Sequence, residues 1–286
     1  MPSPISGAIV LDSQAFDLLS KLIAKRFGLI YTQETAYLLE RRLLQRLEAN
    51  GIGSFLAYYR FLTDPQHASP HRDRELQEIF ELLSTRETYF FRESYQLDAF
   101  REVLLPELHQ NRPRGHSLNV WSAGCASGEE PYSLAVEVIE SGLFDNWNVR
   151  IIGSDLSSQA LHAAVAGIYG PSAFRQTDPG RHNRYFRPLT GRWQVSDQVK
   201  RMCTFLRLNL IHDDFSILGG PLDAIFCRNV IIYFDRTDRN RLIARLAERL
   251  APGGYLFLGH AESLLDGNTP LGIAHLGREL VYRKPS

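Results

Sequence analysis

The pattern of apolar residues changes at about Leu118, and this change limits the possible folds more than any other feature of the sequence. Beyond Leu118, short apolar runs alternate with amphipathic stretches. Such alternation is typical of a parallel sheet whose strands are connected by crossover helices. It predicts an α/β fold with strands at Leu118–Ser122, Val149–Ser154, Phe205–Asn209, Leu222–Cys227 and Tyr255–Leu258, an antiparallel strand near Leu280–Arg283, and helices at Glu129–Glu140, Ser157–Ala166 and Thr237–Leu250.

The first ninety residues have a purely helical pattern. Leucines recur at helical spacing, as at Leu39, Leu43 and Leu47. We therefore expect an N-terminal helical domain and linker over residues 1–93 and a sheet domain over residues 94–286.

An aromatic-rich stretch interrupts the alternation inside the sheet domain. It extends from Arg184 to Val195 and contains a Thr190-Gly191 turn signal. The pattern predicts a β hairpin in a small inserted antiparallel subdomain over about residues 171–204.

Charge and cysteine content exclude several classes of protein. Lys plus Arg and Asp plus Glu are equal at 32 each, so no global basic field attracts nucleic acid or an anionic membrane. The cysteines, Cys125, Cys203 and Cys227, are far apart, which argues against a disulfide framework, and neither they nor the histidines show metal-ligand spacing. No segment approaches the roughly 18 to 20 apolar residues of a membrane span. We expect a cytoplasmic protein without a metal.

A small-residue turn follows the first predicted strand, at Gly124-Cys125-Ala126-Ser127-Gly128. In open α/β sheets, such turns at the carboxyl edge bind nucleotides. The dinucleotide pattern G-x-G-x-x-G is absent, which disfavours a nicotinamide enzyme. A tight turn packed for its own sake is the alternative.

The second predicted strand ends at Asp155. A carboxylate at this position is suited to accept hydrogen bonds from the ribose hydroxyls of an adenosine. The alternative is that Asp155 caps the next helix.

Polar groups also follow the buried strand that ends at Cys227. Asn229 offers both a donor and an acceptor, and Tyr233 places a hydroxyl on an apolar run. For Tyr233 the alternative is a core aromatic residue.

In combination these segments resemble one family. Thr88-x-Phe-Phe-Arg92, Gly128-Glu-Glu130-Pro-Tyr-Ser, Ser-Asp155, Asn209-Leu210, Phe-Cys-Arg-Asn229-Val230 and Tyr233-Phe occur in this order. Together they resemble the CheR-type chemotaxis methyltransferases, over nearly the whole chain.

The resemblance implies a Rossmann-like methyltransferase sheet, S-adenosylmethionine as cofactor, and methyl esterification of glutamate side chains on the cytoplasmic helical bundle of a chemoreceptor. It also implies a cofactor pocket at the turn of Gly124, lined by Thr88, Arg92, Glu130, Asp155, Asn209, Leu210, Asn229 and Val230.

Two residues are implied to act on the reacting groups. Arg92 can hold the methionine carboxylate or orient the substrate carboxylate, and a surface salt bridge with Glu87 or Glu93 is its alternative. By the same resemblance, Tyr233 is expected near the transferred methyl group, where it can bind the attacking carboxylate.

For the receptor, the resemblance implies docking through a basic helix. Arg42 and Arg46 project from one face of the helix, although a solvated helix face is the alternative. The short segment Arg187–Gly191 leads us to expect independence from a receptor's C-terminal pentapeptide. Two other functions stay open at this point: a small-molecule methyltransferase or oxidoreductase, and a non-catalytic module that binds an S-adenosyl ligand.

Overall fold

The computed structural model describes residues 9–64, 70–85, 87–111, 117–264 and 269–286. They divide into two compact units. The helical unit comprises the described residues up to Thr85 together with Tyr233–Asp235, and the sheet unit comprises the rest. None of the helices in these ranges has the length and apolar character needed to span a bilayer.

Helices built on an apolar stripe form the helical unit. They are α1 (Ser13–Phe27), α2 (Ala36–Ala49), α3 (Phe55–Thr63) and α4 (Pro70–Leu83). The predicted stripe is confirmed, because Leu39, Leu43 and Leu47 are fully buried in the core of this unit. Asp12 caps α1 by accepting the N–H of Ala15 at 2.8 Å.

Among the described residues, seven strands form the main sheet of the sheet unit, in the order β6-β2-β1-β7-β8-β10-β9. The first five run parallel, and β10 pairs antiparallel with both β8 and β9. The strands are β1 (Ser117–Ala123), β2 (Asn148–Asp155), β6 (Cys203–Arg207), β7 (Leu222–Cys227), β8 (Leu250–Leu258), β9 (Gly272–Leu276) and β10 (Glu279–Arg283).

Helices precede the main sheet and connect its strands. A nearly continuous helical segment precedes it, formed by α5 (Ser94–Ala99), a π-helical stretch (Phe100–Leu104) and α6 (Leu105–Asn111). The later helices are α7 (Glu129–Ser141), α8 (Ser158–Ala166), α9 (Pro179–Tyr185), α10 (Asp197–Lys200) and α11 (Arg236–Arg249). Two of them, α9 and α10, lie in the inserted subdomain.

The inserted subdomain carries a small antiparallel sheet in the order β3-β5-β4, formed by β3 (Ile168–Tyr169), β4 (Phe186–Leu189) and β5 (Arg192–Val195). The predicted hairpin corresponds to β4 and β5, joined through Thr190 and Gly191, which both have positive φ. The sequence pattern did not indicate β3, which has only two residues and is separated from α8 by Gly167 alone.

The predicted α/β class is confirmed, with differences in detail. The strand predicted to end at Asn209 ends at Arg207, because the chain turns where the Asn209 side chain accepts the N–H of Ile211 at 2.9 Å. The sequence pattern also did not indicate β9, whose exposed positions, such as Ile273, show no clear alternation of apolar and polar residues.

Candidate functional site

The turn between β1 and α7 has a fixed shape set by main-chain hydrogen bonds. The N–H groups of Gly124 and Cys125 both donate to the carbonyl of Ser154, at 2.8 and 2.9 Å. Gly124 and Gly128 have φ values of +79° and +93°, and Ala126 has +46°. A left-handed conformation is costly for alanine, so neighbouring contacts must hold Ala126 in place.

Gly124 also allows two segments of the sheet edge to approach each other. A Cβ atom at Gly124 would lie 2.5 Å from Cγ2 of Val230, which is far inside van der Waals contact. Only glycine fits here, and the turn after β1 therefore lies directly against the segment after β7.

Asp155 joins the ends of β1 and β2. Its Oδ2 accepts the N–H of Ala126 at 2.9 Å, and its Oδ1 accepts the N–H of Ser157 at 2.8 Å. The cap of α8 is Ser157, whose hydroxyl accepts the N–H of Ala160 at 2.9 Å. The interpretation of Asp155 as the helix cap is therefore wrong. Its carboxylate organises the small-residue turn instead.

The segment after β7 turns sharply at Asn229, which has a φ of +59°. The carboxylate of Glu262 accepts the N–H groups of both Asn229 and Val230 at 2.8 Å. The sequence did not indicate this contact of Glu262, since no sequence spacing relates it to residues some thirty positions away.

A segment before α5 reaches the same edge of the sheet. Phe91 and Glu93 both have positive φ, at +58° and +52°, and the N–H of Phe91 donates to the hydroxyl of Ser133 at 3.0 Å. Thr88 hydrogen-bonds through its side chain to the carboxyl group of Glu129. The segment is thus attached to the first turns of α7.

Arg92 lies between two strained residues of this segment. Its guanidinium donates to the carbonyl of Glu87 at 2.8 Å. The carboxylate of Glu87 lies instead 2.7 Å from the guanidinium of Arg175. The carboxylate of Glu93 lies 3.4 Å from the guanidinium of Arg228. The predicted alternative, a salt bridge from Arg92 to either glutamate, is therefore not the contact that the structure shows.

Arg228 is a second site residue that sequence analysis quoted in a motif but did not assign. Its side chain is 2% exposed, and Nη2 donates to the carbonyl of Arg92 at 2.5 Å. Nη1 lies 3.5 Å from the carboxylate of Glu130. The buried guanidinium therefore connects the end of β7 to the Arg92 segment and to α7.

Two adjacent glutamates at the start of α7 face this edge in different surroundings. The carboxylate of Glu130 accepts the hydroxyl of Ser122 at 2.7 Å; burial raises the pKa of Glu130, and the charge of Arg228 opposes the shift. Burial raises the pKa of Glu129 to about 7, although hydrogen bonds from Ser127 and Thr88 act in the opposite direction by favouring the ionised form. Burial thus raises the pKa of both adjacent carboxyl groups.

Asn209 and Leu210 follow β6 at the same edge. The backbone N–H of Asn209 donates to Asp213 at 2.7 Å, and Leu210 is buried. The guanidinium of Arg245 on α11 donates to the carbonyl of Leu210 at 2.7 Å. This contact fixes the loop against the helix.

The remaining predicted residues belong to the helical unit. Arg46 donates to both carboxylate oxygens of Glu75, at 2.9 and 2.5 Å, and Arg42 donates to the carbonyl of Leu83 at 2.7 Å. Tyr233 ends a short 3₁₀ turn, Ile231–Tyr233, and also belongs to this unit.

The side chains at the sheet edge fit an adenosyl amino acid. The turn after β1 is built of small residues, among them Gly124 and Ala126, so no bulky side chain of its own covers its backbone. A carboxylate such as that of Asp155 suits the hydroxyls of a ribose, and the carboxylate of Glu130 and the guanidinium of Arg92 suit the ammonium and carboxylate of an amino acid. Among the described residues, no group of three or more His, Cys, Asp or Glu is placed to hold a metal ion.

The chain matches two family models. Residues 14–86 match "CheR methyltransferase, all-alpha domain", and residues 86–276 match "CheR methyltransferase, SAM binding domain".

Curated relatives match over most of the chain. The sequence is 32% identical to chemotaxis protein methyltransferase 2 of Vibrio cholerae, covering 97% of this chain and 95% of the relative. It is 35% identical to chemotaxis protein methyltransferase 1 of Pseudomonas aeruginosa, covering 87% and 90%. A solved magnesium protoporphyrin IX methyltransferase from Synechocystis PCC 6803 with bound SAM is 16% identical, with a TM-score of 0.38 over 84% of this chain and 94% of that one.

The raised pKa of Glu129 predicts a specific pH dependence of stability. In an unfolded chain this carboxyl group has a pKa near 4.5, whereas in the folded protein it is about 7. Between these values the folded state binds the extra proton, so its stability falls as the pH rises. We expect Glu129→Gln to remove a slope of up to about 1.4 kcal/mol per pH unit from the free energy of unfolding.

Urea unfolding at pH 5, 6 and 7 measures this slope. Glu48→Gln, at an exposed position of α2, controls for the loss of one carboxyl group and should leave the slope unchanged. Equal slopes for Glu129→Gln and the unmodified chain would contradict the prediction.

Proposed function

The chain belongs to the family of CheR methyltransferases, and we propose that this S-adenosylmethionine-dependent chemotaxis methyltransferase esterifies glutamate side chains on the cytoplasmic helical bundle of a chemoreceptor. The observation that carries the proposal is the meeting of several elements at one sheet edge: the Gly124 turn, Asp155, Glu130, the Arg92 segment and the Asn229 turn.

We assign the cofactor pocket to this edge. Asp155 accepts hydrogen bonds from the ribose hydroxyls, and Val230 lines the pocket where it packs against the turn at Gly124. Arg92 binds a carboxylate through its guanidinium fork. The other pocket residues are Thr88, Glu130, Asn209, Leu210 and Asn229. When bound, S-adenosylmethionine supplies an activated methyl group.

The reaction requires little acid–base catalysis by the protein. A glutamate side chain has a pKa near 4.3 and is ionised at neutral pH, so no residue has to remove a proton from it. The main task of the protein is to orient the reacting groups, which contributes about 7 to 11 kcal/mol in favourable cases. We propose that Arg92 and Tyr233 perform this task, with the Tyr233 hydroxyl donating a hydrogen bond to the substrate carboxylate.

A methyl-transfer assay tests the substrate class and the role of Tyr233 together. With methyl-labelled cofactor and a receptor cytoplasmic fragment, we expect label that alkali releases as methanol, because carboxyl methyl esters are base-labile. Tyr233→Phe should lower kcat by about tenfold, the loss of roughly one hydrogen bond of 1.4 kcal/mol, without changing the affinity for S-adenosylhomocysteine.

Two results would count against these assignments. Label that resists alkali would mean a different acceptor atom, and full turnover of Tyr233→Phe would remove the role of its hydroxyl.

For receptor docking we propose helix α2. The predicted arginines Arg42 and Arg46 lie on it. However, the guanidinium of Arg42 already binds the carbonyl of Leu83, and that of Arg46 binds the carboxylate of Glu75. The neighbouring Arg41 is exposed. We therefore include Arg41 in the basic face that meets an acidic receptor helix. Independence from a C-terminal pentapeptide tether stays a prediction.

Charge reversal at Arg41 tests this docking face. Reversing Arg46 would place a second carboxylate beside Glu75, which is 3% exposed, and would destabilise the helical unit. Arg41→Glu avoids this problem, and we expect it to raise the KM for the receptor fragment several-fold with unchanged cofactor affinity. The effect should weaken at high salt.

Lys21→Glu is the matched control, since it reverses an exposed charge on α1 of the same unit. Equal KM values for Arg41→Glu and Lys21→Glu would contradict docking through α2.

A further inference from the structure

One buried carboxylate accepts hydrogen bonds from backbone N–H groups just beyond the ends of two neighbouring strands. Glu262, which is 9% exposed, lies shortly after β8. Its Oε2 accepts the N–H groups of Asn229 at 2.8 Å and Gly259 at 2.7 Å. Its Oε1 accepts those of Val230 at 2.8 Å and Ile232 at 3.2 Å. All four donors belong to the chain just beyond β7 or β8.

We propose that Glu262 is a positioning residue for cofactor binding: it holds the Asn229–Ile232 turn in the shape in which Asn229 and Val230 line the pocket. The inference rests on the proposed assignment of these two residues to the cofactor site.

The turn needs such a group because its conformation is unfavourable by itself. Asn229 has a φ of +59°, in the left-handed region, which asparagine enters more readily than most non-glycine residues but still at a cost in free energy. The N–H groups of residues 229, 230 and 232 converge on one point, and an N–H group without an acceptor is costly in such partly buried surroundings. A carboxylate has two oxygens with about four lone-pair sites and satisfies all of these donors at once.

Gly259 provides a second, independent sign that this arrangement is tight. A Cβ atom at Gly259 would lie 2.8 Å from Nδ2 of Asn229, 2.9 Å from its backbone nitrogen and 2.9 Å from Oε2 of Glu262. No side chain fits between the end of β8 and the turn. The two segments therefore pack as one body around the carboxylate.

The position of Val230 transmits this arrangement to the rest of the pocket. Its Cγ2 atom lies where a Cβ atom of residue 124 would be if that residue were not glycine. A shift of the Asn229–Ile232 turn by even a few tenths of an ångström therefore changes the packing between Val230 and the turn after β1. Glu262 can thus act on the cofactor through Val230 and Asn229 without touching it.

Glu262→Gln is the most informative substitution. Glutamine keeps the shape, but one of the two acceptor oxygens becomes an NH₂ group that faces backbone N–H groups. We expect the Kd for S-adenosylhomocysteine, measured by calorimetry on the folded full chain, to rise tenfold or more. The cofactor KM should rise with it, whereas the KM for the receptor fragment should stay within about threefold of the original value.

Asp223→Asn is the matched control. Asp223 is 1% exposed and accepts the N–H of Asn119 at 2.8 Å, but it lies at the beginning of β7, at the opposite end of that strand from Asn229. We expect this variant to lower Tm while its Kd for S-adenosylhomocysteine changes less than threefold. A merely structural role of Glu262 would make the two variants behave alike.

The outcomes separate this inference from the proposed function. If the unmodified chain binds S-adenosylhomocysteine and Glu262→Gln binds it equally well, the positioning role is wrong and the cofactor site stands. If the unmodified chain does not bind it, the proposed cofactor site itself fails, and this inference fails with it.

Amide hydrogen exchange on the unmodified chain serves if Glu262→Gln does not fold. We expect the N–H groups of Asn229, Val230 and Ile232 to be protected before any ligand is added, because Glu262 already binds them. Exchange at the rate of an unstructured peptide, with protection only after S-adenosylhomocysteine is added, would overturn the proposal.

Discussion

The backbone N–H groups that lie beyond the ends of parallel strands are the constraint on which this site depends. Within a sheet these groups are paired with carbonyls of neighbouring strands. Where strands end and the chain turns, they need other acceptors, because a desolvated N–H group without an acceptor costs free energy. Here carboxylates supply the acceptors: Asp155 binds the turn after β1, and Glu262 binds the turn after β7. Each carboxylate holds a turn that contains a non-glycine residue with positive φ, Ala126 in the first turn and Asn229 in the second.

Glu129, Glu130 and the neighbouring arginines set the electrostatic character of the site. Burial raises the pKa of Glu129 and of Glu130, while Arg228 favours the ionised form of the second. A site with several carboxylates and the guanidiniums of Arg92 and Arg228 is complementary to a ligand that carries both an amino acid group and a positive sulfonium. The same groups hold the Arg92 segment in place, since Arg228 binds its carbonyl.

Much of this architecture could be predicted from local sequence. The alternation of apolar runs gave the parallel strands, and the small residues at 124–128 indicated the first turn, because both signals depend on neighbours in the chain. The roles of Arg228 and Glu262 could not be found in this way. Arg228 binds the carbonyl of a residue 136 positions away, and three of the four N–H groups that bind Glu262 lie 30 to 33 positions away. For Arg42 and Arg46 the helix face was predictable, but their contacts with Leu83 and Glu75 depend on how α2 packs against α4.

The central claim is that the carboxyl edge of the main sheet, organised by Asp155, binds the adenosyl cofactor. Calorimetric titration of the chain and of Asp155→Ala with S-adenosylhomocysteine, S-adenosylmethionine and NAD tests it most directly. The account predicts saturable binding of both adenosyl ligands but not of NAD, and loss of that binding in Asp155→Ala. Unchanged binding in the folded variant, or binding of NAD in preference to the adenosyl ligands, would contradict it.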